Sequence, residues 1–408
     1  MCDTDFDIVV IGGGLAGASL ACALAHTPLR IAVIEAVPLA VQSQPSYDER
    51  RVALALGSQR ILQGIGVWGA ISTREATAIK RIHISDRGYP GKVRLSGADV
   101  GVSALGYVVP TRVIGASLLE FMQQRGNISL LSPASVTQVE IEAGAASVKF
   151  NVEGVERKLS CRLAVVADGG RSNVRTLVGI RAQTKDYCQT AVVSTITAER
   201  YHCGTAYERF TRTGPLALLP MSGKRYAVVW TVRPQQVEHM LSSPEPDFLG
   251  DIQQAFGDLA GQFTRVGGRA AYSLSMTRVA NPVRPRVAVI GNAAHTVHPV
   301  AGQGFNLGLR DVAALAEVLA ESVARGRDLG DLNVLTEYAA WRKRDTLAVT
   351  VFTDGLARIF SNGIPPVAMA RDLGLAAVDL CPPIKRALLR RTMGLAGRLP
   401  RLALGTSL

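Results

Sequence analysis

A short β-branched run that breaks into glycines sets the fold at the start of the chain: Phe6-Asp7-Ile8-Val9-Val10-Ile11-Gly12-Gly13-Gly14-Leu15-Ala16-Gly17, followed by small and apolar residues from Ala18 to Ala25. Strand, G-x-G-x-x-G turn and helix in that order require a βαβ unit with a parallel neighbour. Gly12 permits the tight turn, Gly14 lets a pyrophosphate meet the backbone, and Gly17 lets the helix pack closely on the strand. Leu15 and Ala16 stand in the first helical turn, whose free N–H groups and macrodipole favour an anion. Ile31-Ala32-Val33-Ile34 reads as the second strand. It ends at Glu35, about 20 residues beyond the turn, where an acid binds ribose hydroxyls and disfavours a 2′-phosphate. The pattern recurs in Gly64-Ile65-Gly66-Val67-Trp68-Gly69, but after a helical stretch, so a helix end and turn are expected there.

Two further pieces have the character of the same site. Arg162-Leu163-Ala164-Val165-Val166-Ala167 is a buried strand running into Asp168-Gly169, with Arg171 and Arg175 just beyond. Alone it reads equally well as an ordinary strand and turn. Val287-Ala288-Val289-Ile290 is a third such strand, ending at Gly291-Asn292. A polar linker with His295, His298 and Pro299 follows, and Gly302-Gln303-Gly304-Phe305-Asn306 then opens an amphipathic helix through Leu319. Glycines there let backbone N–H groups face a ligand at a helix start. The dipole would stabilise a reduced flavin's negative edge by about 0.3–1 kcal/mol. Together the three pieces define a site for a long dinucleotide, FAD.

Composition narrows the alternatives. A chain of 408 residues, 48% hydrophobic and 19% charged, suits two domains and lies far from the disordered class. The net charge of +12 raises nucleic acid as a partner, but the arginines are scattered with no basic tract interleaved with aromatics, so none is expected. The six cysteines, Cys2, Cys22, Cys161, Cys188, Cys203 and Cys381, are dispersed without metal-ligand spacing. A reduced, cytoplasmic protein without a structural metal is expected. Ile8 to Ala25 is uncharged and apolar enough to imitate a membrane span, yet Asp3, Asp5 and Asp7 precede it and glycines interrupt it.

On Ser85-Asp86-Arg87-Gly88, Glu208-Arg209-Phe210-Thr211, Gly214-Pro215-Leu216-Ala217, Leu219-Pro220-Met221-Ser222 and the segment Gly291 to Asp311, the whole chain resembles the class A flavoprotein aromatic hydroxylases. These are typified by para-hydroxybenzoate hydroxylase. More narrowly the chain is similar to the ubiquinone-biosynthesis branch, above all to the 2-polyprenyl-6-methoxyphenol hydroxylases. The resemblance implies an α/β fold: a Rossmann-like FAD-binding domain, an antiparallel-sheet substrate domain and C-terminal helices. The FAD domain is expected to be discontinuous, from 1–70, 100–182 and 275–335, with the substrate domain in 71–99 and 183–274 and a helical region in 336–408. It implies FAD held by Gly12, Gly14, Gly17, Glu35, an arginine in Tyr47-Asp48-Glu49-Arg50, Arg112, Asp168, and the Pro299, Gly302, Gly304, Asn306 loop. Where the wider family has Gly-Asp, this chain has Gly291-Asn292, which keeps an acceptor for the ribitol and loses the charge.

The chemistry so implied is the cofactor's. NAD(P)H, bound transiently, reduces the flavin, O2 adds to give a hydroperoxide, and its distal oxygen attacks the ring of a polyprenylated phenol. No convincing general base is evident. His298 stands near the expected ring position, but a turn histidine is the better reading, and His295 reads as structural. Electrophilic attack can be driven by the phenol's own hydroxyl. The basic, amphipathic end from Pro382 to Leu399 reads equally as a packed helix or as contact with a membrane's inner face or a partner complex. Rivals are a sister hydroxylase acting at another ring position, an isoprenoid reductase or epoxidase, and a non-catalytic prenyl-protein escort. The intact Gly302-Gln303-Gly304 disfavours the escort. A halogenase is disfavoured by the isolated Trp68, Trp230 and Trp341.

Overall fold

In the computed structural model, which describes residues 4–39, 44, 50–360 and 364–408, the first glycine turn leaves the middle of a mainly parallel sheet. The strand Phe6–Ile11 pairs in parallel with Ile31–Ile34 on one side and Val155–Val166 on the other. Ile128–Leu131 extends the first flank in parallel and Val287–Val289 the second. Chain order therefore reverses across Phe6–Ile11, the kind of switch point outside whose carboxyl ends ligands bind in open α/β sheets. Both faces of the sheet are covered, which is why these strands are continuous apolar runs. Ile8 and Val10 pack toward the helices Leu15–Ala23, Thr111–Gln123 and Gln303–Ala324. Val9 and Ile11 pack on the opposite face with Val139, Val148 and Phe150, from strands that pair antiparallel beside Val155–Val166. The second glycine match ends the helix Leu56–Ile65, with Gly66 at φ +97°.

A second, largely antiparallel sheet carries the alternating strands. Its order runs from His295–Thr296 through Ala270–Val279, Ala182–Ala198, Arg225–Val232, Gly214–Pro220, Thr205–Thr211 and Arg81–Asp86 to Lys92–Ser96. The strand Thr205–Thr211 joins Arg81–Asp86 in parallel, so residues far apart in sequence share this sheet. Three helices close the chain: Leu332–Phe360, Pro365–Leu380 and Pro382–Thr392. The middle one is pinned to the sheet edge by Arg371 Nε on Asp86 Oδ2 at 2.5 Å and Asp379 Oδ2 on Arg94 Nη2 at 2.8 Å. The last buries Leu389 and Met393 against Val93 and Leu95, leaving Arg386, Arg390 and Arg391 exposed. No helix among the described residues is long and apolar enough to cross a membrane.

Asp311 joins these parts. Its Oδ2 accepts from the Gly291 N–H at 3.1 Å and from His295 Nε2 at 2.5 Å, and its Oδ1 accepts from Arg342 Nε at 2.7 Å. Burial alone would raise this carboxyl, but His295 and Arg342 outweigh it and hold the pKa down to about 2. A carboxyl held below its unfolded value of 3.8 adds stability that is present above that value and fades as pH falls toward about 2. Removing one member of a buried charge cluster strands the others, so Asp311→Asn is expected to cost about 3–5 kcal/mol in denaturant unfolding at neutral pH. The difference from wild type should shrink on acidification.

Candidate functional site

Four carboxyl ends of neighbouring parallel strands deliver the site. Phe6–Ile11 gives way to the glycine turn, Ile31–Ile34 to Glu35, Val155–Val166 to Asp168, and Val287–Val289 to Gly291. The helix Leu15–Ala23 starts here with Gly14 as its N-cap and no side chain capping it, so its first N–H groups face the cleft. Gly17 is obligatory: a Cβ on it would sit 1.9 Å from the Gly12 carbonyl oxygen. Across the cleft Gly302, at φ +60°, caps the helix Gln303–Ala324, whose start faces the same space. Two helix N-termini thus converge on one cavity, an arrangement suited to an extended anion.

That cavity measures about 1830 Å³. One drug-sized ligand uses about 300–1,000 Å³, so there is space for a dinucleotide and a second molecule. Gly12, Gly14, Leu15, Ala16, Glu35, Arg50, Asp168, Gly291, Asn292, Pro299, Gly302, Gly304, Phe305 and Asn306 all line it. Gly17 lies behind the lining, packed on Gly12. Tyr47, Asp48 and Glu49 lie outside the described residues. Arg112 is not among the lining residues, and its Nη2 is paired with Glu75 Oε2 at 2.7 Å.

The polar atoms present fit the flavin dinucleotide. Glu35 Oε2 accepts from the Gly13 N–H at 2.7 Å and Oε1 from the Val37 N–H at 3.1 Å, which fixes the carboxylate at the end of its strand. Asp168 Oδ2 accepts from the Val174 N–H at 3.2 Å, while its Oδ1 is buried with no hydrogen-bond partner. Burial raises this carboxyl above its ordinary range. A buried acceptor without a donor is costly, and a ligand hydroxyl would satisfy it. Asn306 is engaged otherwise. Its Oδ1 accepts from the Ala55 N–H at 2.8 Å, and its Nδ2 donates to Ala53 O at 2.8 Å and Gly302 O at 2.6 Å. It thereby ties the strand Arg51–Ala55 to the start of the second helix.

His298 is fully buried and is not part of the lining. Its Nδ1 accepts from the Val300 N–H at 3.3 Å, so Nε2 carries the proton and donates to Gln189 Oε1 at 3.3 Å. The turn reading of this residue accounts for its contacts, and His295, held by Asp311, is structural in the same sense.

The far side of the cavity is the antiparallel sheet expected to hold substrate, and the C-terminal helices, which were not expected there, join it. Phe210 from the antiparallel sheet stacks on Phe360 with ring centroids 3.6 Å apart. Leu356, Leu375, Val378, Leu388 and Met393 from the three C-terminal helices continue this apolar wall. Glu208 adds a polar group to the same lining, on the face of its strand that carries Phe210, whereas the Tyr207 ring turns to the other face and packs on Tyr226 and Phe256. Near the opposite rim the Arg50 guanidinium lies 5.0 Å over the Tyr272 ring. The alternation of the strand Thr205–Thr211 could have flagged Glu208, which shares a face with Phe210. Nothing in the sequence folds the C-terminal helices over the sheet.

A family profile described as an FAD binding domain matches residues 5–352. The chain belongs to that family. It is 39% identical over 411 residues to the ubiquinone hydroxylase UbiL of Rhodospirillum rubrum, covering 98% of this chain and 93% of that one. It is 31% identical over 443 residues to the human mitochondrial ubiquinone biosynthesis monooxygenase COQ6, covering 95% and 92%. The fold is shared with p-nitrophenol 4-monooxygenase PnpA from Pseudomonas putida, at a TM-score of 0.80 and 19% identity over 97% of this chain and 100% of that one. The chain is an FAD-dependent monooxygenase of the ubiquinone-pathway branch of class A hydroxylases, with NAD(P)H as electron donor.

Burial lowers the His298 imidazole from 6.5 to about 4. A histidine kept neutral in the folded state adds stability that is full above 6.5 and is lost as pH falls toward about 4. An NMR titration is expected to find this ring neutral at pH 6. A titration near the ordinary value would contradict the buried turn role.

Proposed function

We propose that the enzyme hydroxylates a 2-polyprenyl-6-methoxyphenol para to its existing hydroxyl. The observation that carries this reading is the continuity of the cavity. A polar end lined by Gly12, Glu35 and Asp168 opens without interruption into an apolar end lined by Phe210, Leu356, Phe360, Leu375 and Val378. A cofactor of mixed polarity and a small aromatic ring would occupy the first part alone. An aromatic head carrying a long isoprenoid chain suits the remainder, because each buried methylene contributes about 0.8 kcal/mol.

In this reading Gly12, Gly14 and the first turn at Leu15 and Ala16 hold the pyrophosphate, Glu35 with Arg50 the adenosine half, and Asp168 with Asn292 the ribitol. The Pro299-to-Phe305 loop and its helix dipole hold the pyrimidine edge. Arg112 acts at one remove, through Glu75, which also pairs with Arg51 of the lining at 3.5 Å. When bound, the FAD supplies the redox chemistry, taking electrons from NAD(P)H and activating O2 for insertion into an electron-rich ring. The chain's own share is positioning and exclusion of water. Aromatic and aliphatic walls keep the ring in place and leave water few partners. The substrate's own hydroxyl drives the attack.

Three outcomes test this. Aerobic turnover of a short-chain 2-prenyl-6-methoxyphenol should give a product bearing one added oxygen para to the original hydroxyl. Substitution at another position points to a sister hydroxylase, and no hydroxylated product removes the substrate assignment. Leu375→Gln, on the apolar wall, is expected to raise KM about tenfold for a long-chain phenol and less than about twofold for 2-methoxyphenol. Asp168→Ala, read by flavin titration, should weaken FAD binding about ten- to a hundredfold, the loss of a charge-assisted hydrogen bond.

A further inference from the structure

The helix Pro365–Leu380 is inside out. Its charged side chains Arg371, Asp372 and Asp379 turn toward the antiparallel sheet, where Arg371 meets Asp86, Asp379 meets Arg94, and Asp372 accepts from the Gly91 N–H. The side chains facing away, at helical spacing, are Met369, Ala370, Leu373, Ala377 and Leu380, all exposed and all apolar. Met369 is 63% exposed, Leu373 68% and Leu380 82%. A helix packed on a sheet ordinarily buries its apolar stripe and wets its charges. Its two neighbours extend the surface, with Val351 at 62% exposure on one and Ile384 at 50% on the other. Contiguous exposed apolar surface of this kind marks an interaction site.

Charge identifies the occupant. From residue 341 to residue 392, among the described residues, every exposed charged side chain is a cation: Lys343, Arg344, Arg386, Arg390, Arg391 and Arg358, the last also paired with Asp354 at 2.7 Å. The acids of the same stretch are turned inward onto partners, Asp345 on Arg342 and Asp354 on Lys185. Apolar side chains flanked by cations alone are complementary to an anionic lipid surface, in which the side chains enter the acyl boundary and the cations meet headgroups. A second copy of the chain would set arginines against arginines. We propose that this face, centred on Leu373 and Leu380 of the helix Pro365–Leu380, docks the enzyme on an anionic membrane. The same helix offers Leu375 and Val378 to the cavity from its other side. Docking therefore places the cavity's apolar wall against the bilayer. That last consequence rests on the polyprenyl-phenol reading, whereas the docking itself rests on the surface alone.

The test uses the full-length, flavin-loaded enzyme in co-sedimentation with vesicles of phosphatidylcholine, with and without phosphatidylglycerol. Wild type is expected to bind the anionic vesicles and to be released by salt. The double variant Leu373→Glu, Leu380→Glu should lose binding about tenfold or more while keeping its flavin spectrum and its turnover of a chainless phenol. Arg386→Gln with Arg390→Gln should weaken binding to anionic vesicles by about tenfold and leave neutral vesicles unaffected. Wild type that ignores anionic vesicles, or a glutamate variant that binds them equally, overturns the proposal. So does wild type that self-associates in light scattering and is made monomeric by the glutamates without vesicle binding. Vesicle binding by an enzyme that does not hydroxylate the phenol upholds the docking and removes the substrate reading instead.

Discussion

Asp311 is a carboxylate removed from water, and three separate parts of the chain supply what it needs. The Gly291 N–H comes from the end of a parallel strand, His295 from the edge of the antiparallel sheet, and Arg342 from the first C-terminal helix. A buried charge tolerates no missing partner, so these parts keep their mutual placement. The glycine loop at Gly302 and the apolar wall of the C-terminal helices both border the cavity, and Val300 of the loop packs with Phe360 of the wall.

Around that junction the protein uses two kinds of surface for two kinds of work. The carboxyl ends of the parallel strands offer backbone N–H groups, helix N-termini and two carboxylates, which suit phosphates and hydroxyls. The antiparallel sheet and the C-terminal helices offer packed aromatic and aliphatic side chains. Neither half encloses a site alone, and the parallel pairing of Thr205–Thr211 with Arg81–Asp86 brings distant segments together to complete the roof. The inverted helix Pro365–Leu380 follows from the same arrangement, since its polar anchors are consumed by the sheet edge and its apolar residues are divided between cavity and exterior.

The glycine turn, Glu35 and the strand ends at Asp168 and Gly291 were readable because backbone chemistry is local: a βαβ crossover needs those residue types at those spacings. Gly66 was readable as a helix end for the same reason. Other roles depend on tertiary contacts that no short window contains. Asn306 lines the cavity, and its amide also bridges to a strand some 250 positions earlier, a contact no short window shows. Arg112 stands in a suggestive position and is drawn to Glu75. The basic end of the chain drew notice for its arginines, whereas the unusual surface lies on the preceding helix, whose apolar residues the fold turns outward.

The central claim is that one continuous cavity holds the flavin and a lipid-chain phenol together. Anaerobic stopped-flow reduction of the bound flavin by NADPH, with and without a short-chain 2-prenyl-6-methoxyphenol, tests it most directly. A shared cavity predicts that the phenol changes the flavin's visible spectrum on binding and accelerates its reduction. Bound flavin whose spectrum and reduction rate are both indifferent to the phenol would contradict it.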